Sequence, residues 1–158
     1  MLKEKRTAEI VTLLAKYPPE RKRSAVMPLL FMAQEEYGYC SDEAVKEVAE
    51  ILLLDPTEVK SVVGFYTMFR EKPVGKYLIE VCDDLPCVLR GADKFVSHCE
   101  HKLGIKAGET TPDGKITLTV VMCIAACDRA PCAQVNGDYR VSLTEASFDQ
   151  MADELSAG

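Results

Sequence analysis

Over the first 70 residues, apolar positions recur at intervals of three and four, the period of helices that each bury one stripe. Thr7 is placed to cap a helix running through Lys16, which Pro18-Pro19 ends. From Ser24 to a stop at Gly38, Val26, Leu29, Leu30, Ala33 and Tyr37 share one face, and Pro28 is tolerated if it lies in the first turn. Ser41, followed by Asp42 and Glu43, opens a third helix with Val45, Val48, Ala49 and Leu52 on its inner face. Asp55-Pro56-Thr57-Glu58 opens a fourth, with a capping carboxylate and a proline at the first helical position.

The pattern changes at Arg70 to Gly75, where Pro73 and Gly75 separate two apolar stretches and mark a linker. Beyond it, Tyr77–Val81 predicts a strand and Ala92–Leu103 a helix. Pro112-Asp113-Gly114 then turns the chain into a second strand, Ile116–Met122. Asn136-Gly137, between Ala133–Val135 and Tyr139–Val141, has the form of a two-residue hairpin turn. Thr144 caps a last helix that buries Phe148, Met151 and Leu155. The expected architecture is therefore α+β: a helical bundle over residues 1–72, then a β-α-β-β-α domain over residues 73–158.

With 158 residues, 47% of them hydrophobic and 28% charged, the chain can bury a core and sits at the border between one domain and two small ones. A net charge of −6 argues against a nucleic-acid partner, which requires clustered Lys and Arg. The longest apolar stretches, Ile51–Leu54 and Thr119–Cys127, are far short of the roughly 20 residues needed to span a bilayer. The opening MLKEKRTAEI has no apolar signal core, so a reducing cytosol is expected. There, seven cysteines read as metal ligands or redox groups before structural disulfides.

Four of them form two close pairs, Cys82-Asp-Asp-Leu-Pro-Cys87 and Cys123-Ile-Ala-Ala-Cys127. Each pair begins where a predicted strand ends. If those strands are parallel neighbours, both loops leave one end of the sheet, where α/β sheets place their sites. A [2Fe–2S] cluster takes four thiolates, two per iron, and a C-x4-C spacing occurs in one ferredoxin class. Zinc more often uses tighter knuckles, though its spacing can stretch to four, and thiol–disulfide catalysis usually wants a C-x-x-C that is absent here. Spacing alone leaves three readings open: a cluster-bearing electron carrier, a zinc-stabilised interaction module and a disulfide enzyme.

Around the pairs, Gly91 can let backbone approach the site, and Arg90 and Arg129 can balance its negative charge or be simply solvated. Asp83, Asp84 and Asp128 would disfavour an added electron, or serve only as turn formers and caps. Cys132 is the chief rival ligand, but its place at the start of a strand reads as an ordinary buried thiol. Cys99, with Phe95, Val96 and Leu103, reads as core, and nothing argues for reactivity at Cys40. His98 and His101 show no evident carboxylate partner and read as a solvated face. Phe65, Tyr66, Met68 and Phe69 either present a docking patch or close the bundle.

Taken in order, these segments resemble the NuoE family, the thioredoxin-like [2Fe–2S] ferredoxin subunit of NADH:quinone oxidoreductase. The resemblance is carried by AVMPLLFMAQEEYGY (Ala25–Tyr39), VVGFYTMF (Val62–Phe69), VCDDLPCVLRGA (Val81–Ala92), TTPDGKITL (Thr110–Leu118), CIAACDRAP (Cys123–Pro131) and VNGDYRVSLT (Val135–Thr144). It implies a thioredoxin-like second domain and one [2Fe–2S] cluster per chain held by Cys82, Cys87, Cys123 and Cys127. It also implies a cytoplasmic protein held at the membrane through its complex, docked on a larger flavin-bearing subunit that oxidises NADH. Similar subunits serve NAD-linked hydrogenases and formate dehydrogenases. No Gly-rich dinucleotide fingerprint is present, so NADH and FMN belong on the partner. Where such proteins commonly have glycine in the Cys-Leu-Gly-Ala-Cys loop, this chain has Ala125, which is expected to hold a conformation that alanine accepts.

Overall fold

Thr7 lies inside the first long helix rather than at its cap. In the computed structural model, which describes residues 2–158, a one-turn α1 (Leu2–Lys5) runs directly ahead of α2 (Thr7–Leu14). The Lys3 carbonyl is thus within reach, and the Thr7 hydroxyl donates back to it instead of capping. A 3-10 turn over Pro19–Ala25 leads into α3 (Val26–Tyr37), with Pro28 in its first turn as expected. Gly38 stops α3 in the left-handed conformation, φ 81°, its N–H donating to the Gln34 carbonyl at 2.8 Å.

The next two helices begin on their expected caps. Ser41 accepts from the Ala44 N–H at 3.1 Å at the start of α4 (Asp42–Leu52), and Asp55 from the Thr57 N–H at 2.8 Å at the start of α5 (Pro56–Phe65). Val45, Val48, Ala49 and Leu52 are buried with Leu29, Leu30, Val59 and Val63. Two polar side chains at this core are hydrogen-bonded. Gln34 donates to the Met68 carbonyl at 3.0 Å and accepts from the Arg70 N–H at 2.7 Å, which ties down the segment after α5. Glu47 accepts from the Lys3 N–H at 3.1 Å and the Tyr37 hydroxyl at 2.7 Å. Burial pushes the Glu47 carboxyl up, but these donors outweigh it and hold the group below its ordinary range. The aromatic segment divides. Phe69 is buried, its ring centroid 4.9 Å from that of Phe31, whereas Phe65 is 76% exposed and Met68 47%.

The chain forms two compact units, and the first ends at Pro73. The second, Val74–Gly158, comprises β1 (Tyr77–Cys82), α6 (Leu85–Leu89), α7 (Ala92–Leu103), β2 (Ile116–Val121), β3 (Ala133–Val135), β4 (Asp138–Arg140) and α8 (Glu145–Ala157). The chain is α+β, with a four-stranded sheet ordered β2-β1-β3-β4. Only the β1–β2 pair is parallel. Gly75 enters the sheet where a Cβ would lie 2.7 Å from the Lys115 carbonyl oxygen, so no larger residue fits. The outer side of β2 is bonded to the preceding loop: the Gly108 N–H donates to the Leu118 carbonyl at 2.7 Å, and Thr111 to Ile116 at 2.8 Å.

The predicted hairpin joins β3 to β4, with Asn136 at φ 50° and Gly137 at φ 89°, the positive pair of a type I′ turn. The Asn136 side chain accepts from the Leu78 N–H at 2.8 Å and donates to the Lys76 carbonyl at 3.0 Å, fastening the hairpin to β1. Thr144 caps α8 reciprocally with Ser147. Phe148, fully buried, meets Phe95 of α7 edge-on at 5.6 Å, while Met151 and Leu155 are partly buried beside the same core. Among the described residues, no helix is long and apolar enough to cross a membrane.

Candidate metal centre

Parallel pairing sets Cys82 opposite Val121, so the loops after β1 and β2 leave the sheet at the same end. The ladder continues one step: the Asp83 N–H donates to the Val121 carbonyl at 3.0 Å. In the first loop Asp84 caps α6 by accepting from the Leu85 N–H at 2.8 Å. Cys87 lies in the first turn of α6 and is 1% exposed. Gly91 separates α6 from α7 at φ 90°. A Cβ there would meet no protein atom within 4 Å, so toward the rest of the chain the glycine supplies a left-handed bend.

In the second loop Cys123 and Cys127 are exposed, while Ile124 and Ala126 between them are buried. Ala125 takes φ 58°, the left-handed conformation that its replacement of glycine was expected to exclude. Two bonds hold the loop in that shape. The Ala125 N–H reaches the Cys123 Sγ at 3.4 Å, and the Tyr139 hydroxyl donates to the Ile124 carbonyl at 2.7 Å. Desolvation raises the Cys127 thiol, and the Cys123 and Cys82 sulfurs and the Asp84 carboxylate push it the same way.

All seven cysteines are free thiols, and among the described residues the sulfurs that gather are those of Cys82, Cys87 and Cys132, with Cys123 and Cys127 outside that group. The Sγ atoms of Cys82, Cys87 and Cys132 lie within 4.8 Å of one another, all three residues buried. Cys132 Sγ stands 3.7 Å from Cys87 Sγ, and the Cys132 carbonyl accepts from the Cys82 N–H at 3.0 Å. Cys132 is buried as its sequence position indicates, in an apolar cluster with Ala92, Ile124, Ala126 and Ala130 that also holds two of the loop cysteines. The antiparallel β1–β3 pairing that brings it there leaves no mark in the cysteine spacing.

Burial first, then the neighbouring Cys82 and Cys132 sulfurs, push the Cys87 thiol up. Such a cluster of thiols releases its protons when a metal takes them. The set is all sulfur, drawn from the first loop and the segment before β3, and thiolate ligands suit zinc and iron–sulfur clusters alike. Leu85 (67% exposed), Leu89 (78%) and Met122 (80%) border the cysteines with apolar surface.

The remaining candidates lie elsewhere. Arg90 is exposed, and exposed Arg129 pairs with Asp128 at 3.5 Å. Cys99 is buried in the core of the second unit, its thiol pushed up to about 12 by burial. Cys40 is buried in the first unit and donates weakly to the Leu30 carbonyl at 3.8 Å. His98 has a carboxylate partner that its own helix does not reveal: its Nε2 lies 2.7 Å from Asp149 Oδ1, because α8 packs across α7.

The model of the thioredoxin-like [2Fe–2S] ferredoxin family matches residues 10–156. An E-type subunit of the NADH-quinone oxidoreductase of Rickettsia felis is 45% identical over 91% of this chain and 87% of its own. An E-type subunit of the corresponding oxidoreductase of Rhizobium meliloti is 40% identical over 94% and 88%. Among solved structures, an NAD+-reducing [NiFe]-hydrogenase in its H2-reduced state superposes with a TM-score of 0.72 at 24% identity. That likeness covers 82% of this chain but only 22% of the hydrogenase chain, and it speaks for the fold alone.

Proposed function

Because the chain belongs to the thioredoxin-like [2Fe–2S] ferredoxin family, we propose that Cys82, Cys87, Cys123 and Cys127 hold one [2Fe–2S] cluster, two sulfurs from each loop. The protein is the electron-transfer subunit of an NADH:quinone oxidoreductase. The observation that carries the ligand assignment is the Cys82–Val121 register, which sends both cysteine loops off one end of the parallel pair. Relatives in sequence are subunits of that complex, so this reading stands ahead of a hydrogenase or formate dehydrogenase subunit.

When bound, the cluster held by these cysteines would supply the one-electron chemistry that links a flavin of a neighbouring subunit to the rest of the complex. This chain's residues give the site two unlike sides. Cys82 and Cys87 hold the inner side away from water, and Cys123 and Cys127 keep the outer side at the surface. The Ala125 N–H steadies the Cys123 sulfur, while Asp83, Asp84 and Asp128 oppose added negative charge and keep the potential low. The apolar rim of Leu85, Leu89 and Met122 is the docking face for the flavin-bearing, NADH-oxidising subunit. The two units correspond to a helical bundle and a ferredoxin domain, and the protein works in the cytoplasm, peripheral to the membrane through its complex.

Anaerobically purified protein is expected to carry two irons and two sulfides per chain and, once reduced, the EPR signal of a single [2Fe–2S] centre. Alanine at any of the four positions should lower the iron content. A colourless chain holding stoichiometric zinc would refute the assignment and leave a zinc-stabilised module.

A further inference from the structure

We propose that Cys132 is a positioning residue of the centre, a neutral thiol that donates to the Cys87 sulfur and raises the reduction potential. The inference rests on the four-ligand assignment above. A sulfur placed 3.7 Å from Cys87 Sγ could be a disulfide partner, a ligand or a donor. A disulfide is excluded because its sulfurs would lie about 2.05 Å apart. A [2Fe–2S] cluster takes four thiolates, and the two loops already offer four.

Backbone placement points the same way. Cys132 stands directly before β3, with its carbonyl bonded to the Cys82 N–H and its neighbour Ala133 paired with Val81, so its sulfur is fixed on the inner side of the centre. Cys123 and Cys127 lie on an exposed loop at the outer side. Once iron has taken the Cys87 proton, that sulfur has only lone pairs to offer, and the S–H of Cys132 is the complementary donor beside it. The contact is buried on both sides, with Cys132 at 0% exposure and Cys87 at 1%, so water does not screen it. Reduction adds negative charge to the iron and its sulfurs, and a donor aimed at one of them favours the reduced form. Cys132 thus acts against the three nearby aspartates.

The test compares the cluster-loaded full chain with its Cys132→Ala, Cys132→Val and Cys132→Ser variants by EPR-monitored redox titration. Alanine and valine, which remove the donor with and without a cavity, should lower the potential alike. The expected shift is at least threefold in the one-electron equilibrium, on a scale of about 59 mV per tenfold. Serine, which restores a donor, should return it to the wild-type value or above. Equal potentials in wild type, alanine and valine would make Cys132 mere filling and overturn the proposal. Loss of the cluster from Cys132→Ala, with retention in Cys123→Ala or Cys127→Ala, would overturn the four-ligand assignment instead. Wild-type protein gives a check independent of folding in the variants: one infrared S–H band should shift when the centre is reduced. If no S–H band responds to reduction, the donor role is refuted.

Discussion

Replacing Ala125 by glycine should stabilise the second unit, although it deletes a methyl group and adds no contact. Ala125 sits at φ 58°, where a Cβ crowds the carbonyl oxygen that follows it. That conformation costs an L-residue about 1–2 kcal/mol, and glycine is free of the cost. Part of the gain is returned because glycine loosens the unfolded chain, by about 0.4–1 kcal/mol. The side chain is exposed, so its removal leaves no cavity. The backbone N–H that reaches the Cys123 sulfur is common to both residues. The net expectation is a stabilisation of about 0.5–1 kcal/mol, which in a unit of this size raises the melting temperature by about 2–8 °C. Anaerobic melts of the cluster-loaded protein, followed at one scan rate by circular dichroism and by visible absorption, would measure it. Ala125→Val should move the other way, since a β-branched residue tolerates this conformation less well. A melting temperature unchanged or lowered in Ala125→Gly would refute the claim that the loop is held under backbone strain.

Three other perturbations test separate parts of the account. Glu47 titrates in the folded chain below its ordinary 4.5, so its contribution to stability is complete above that value and fades as pH falls through the lower folded one. Urea unfolding at a series of acid pH values should show a shallower decline in Glu47→Gln, and a decline identical to wild type would refute the role of Glu47. Phe148→Ala should cost about 3–5 kcal/mol, since it empties a site with no exposure beside Phe95; a loss under about 1 kcal/mol in urea midpoint analysis would count against that core. Gly75→Ala should cost at least about 2 kcal/mol, because its Cβ would press on the backbone of Lys115, which cannot swing aside. A wild-type denaturation midpoint for that variant would contradict the close approach.

What the sequence discloses is mostly local. Ser41, Asp55 and Thr144 cap helices because a short polar side chain beside a free N–H needs no distant partner. Asn136-Gly137 turns a hairpin because both residues accept positive φ. Features of only a turn or so escape, among them α1 and α6, since so short a helix cannot show a recurring stripe. Thr7 reads as a cap for the same reason: with α1 out of sight, its hydroxyl has no other visible role.

At the candidate metal centre, the two cysteine loops are readable because each pair follows a strand end. Cys132 reaches Cys87 only through the β1–β3 pairing, across 45 residues of sequence. Asp149 reaches His98 across 51 residues, through helix packing that no window along α7 contains. Such contacts belong to the tertiary fold.

The two margins of the sheet bear on a stage before electron transfer begins. β4 is three residues long and carries Asp138 and Arg140, while the hydrogen-bonding groups on the far side of β2 are occupied by the loop through Gly108 and Thr111. A polypeptide that waits for its inorganic centre spends time bare, when neighbouring chains could add themselves strand by strand to any open border. Here one border is short and charged, and the other is covered by the preceding loop along Ile116 and Leu118. Both borders thus offer a neighbouring copy little free backbone to pair with before metallation.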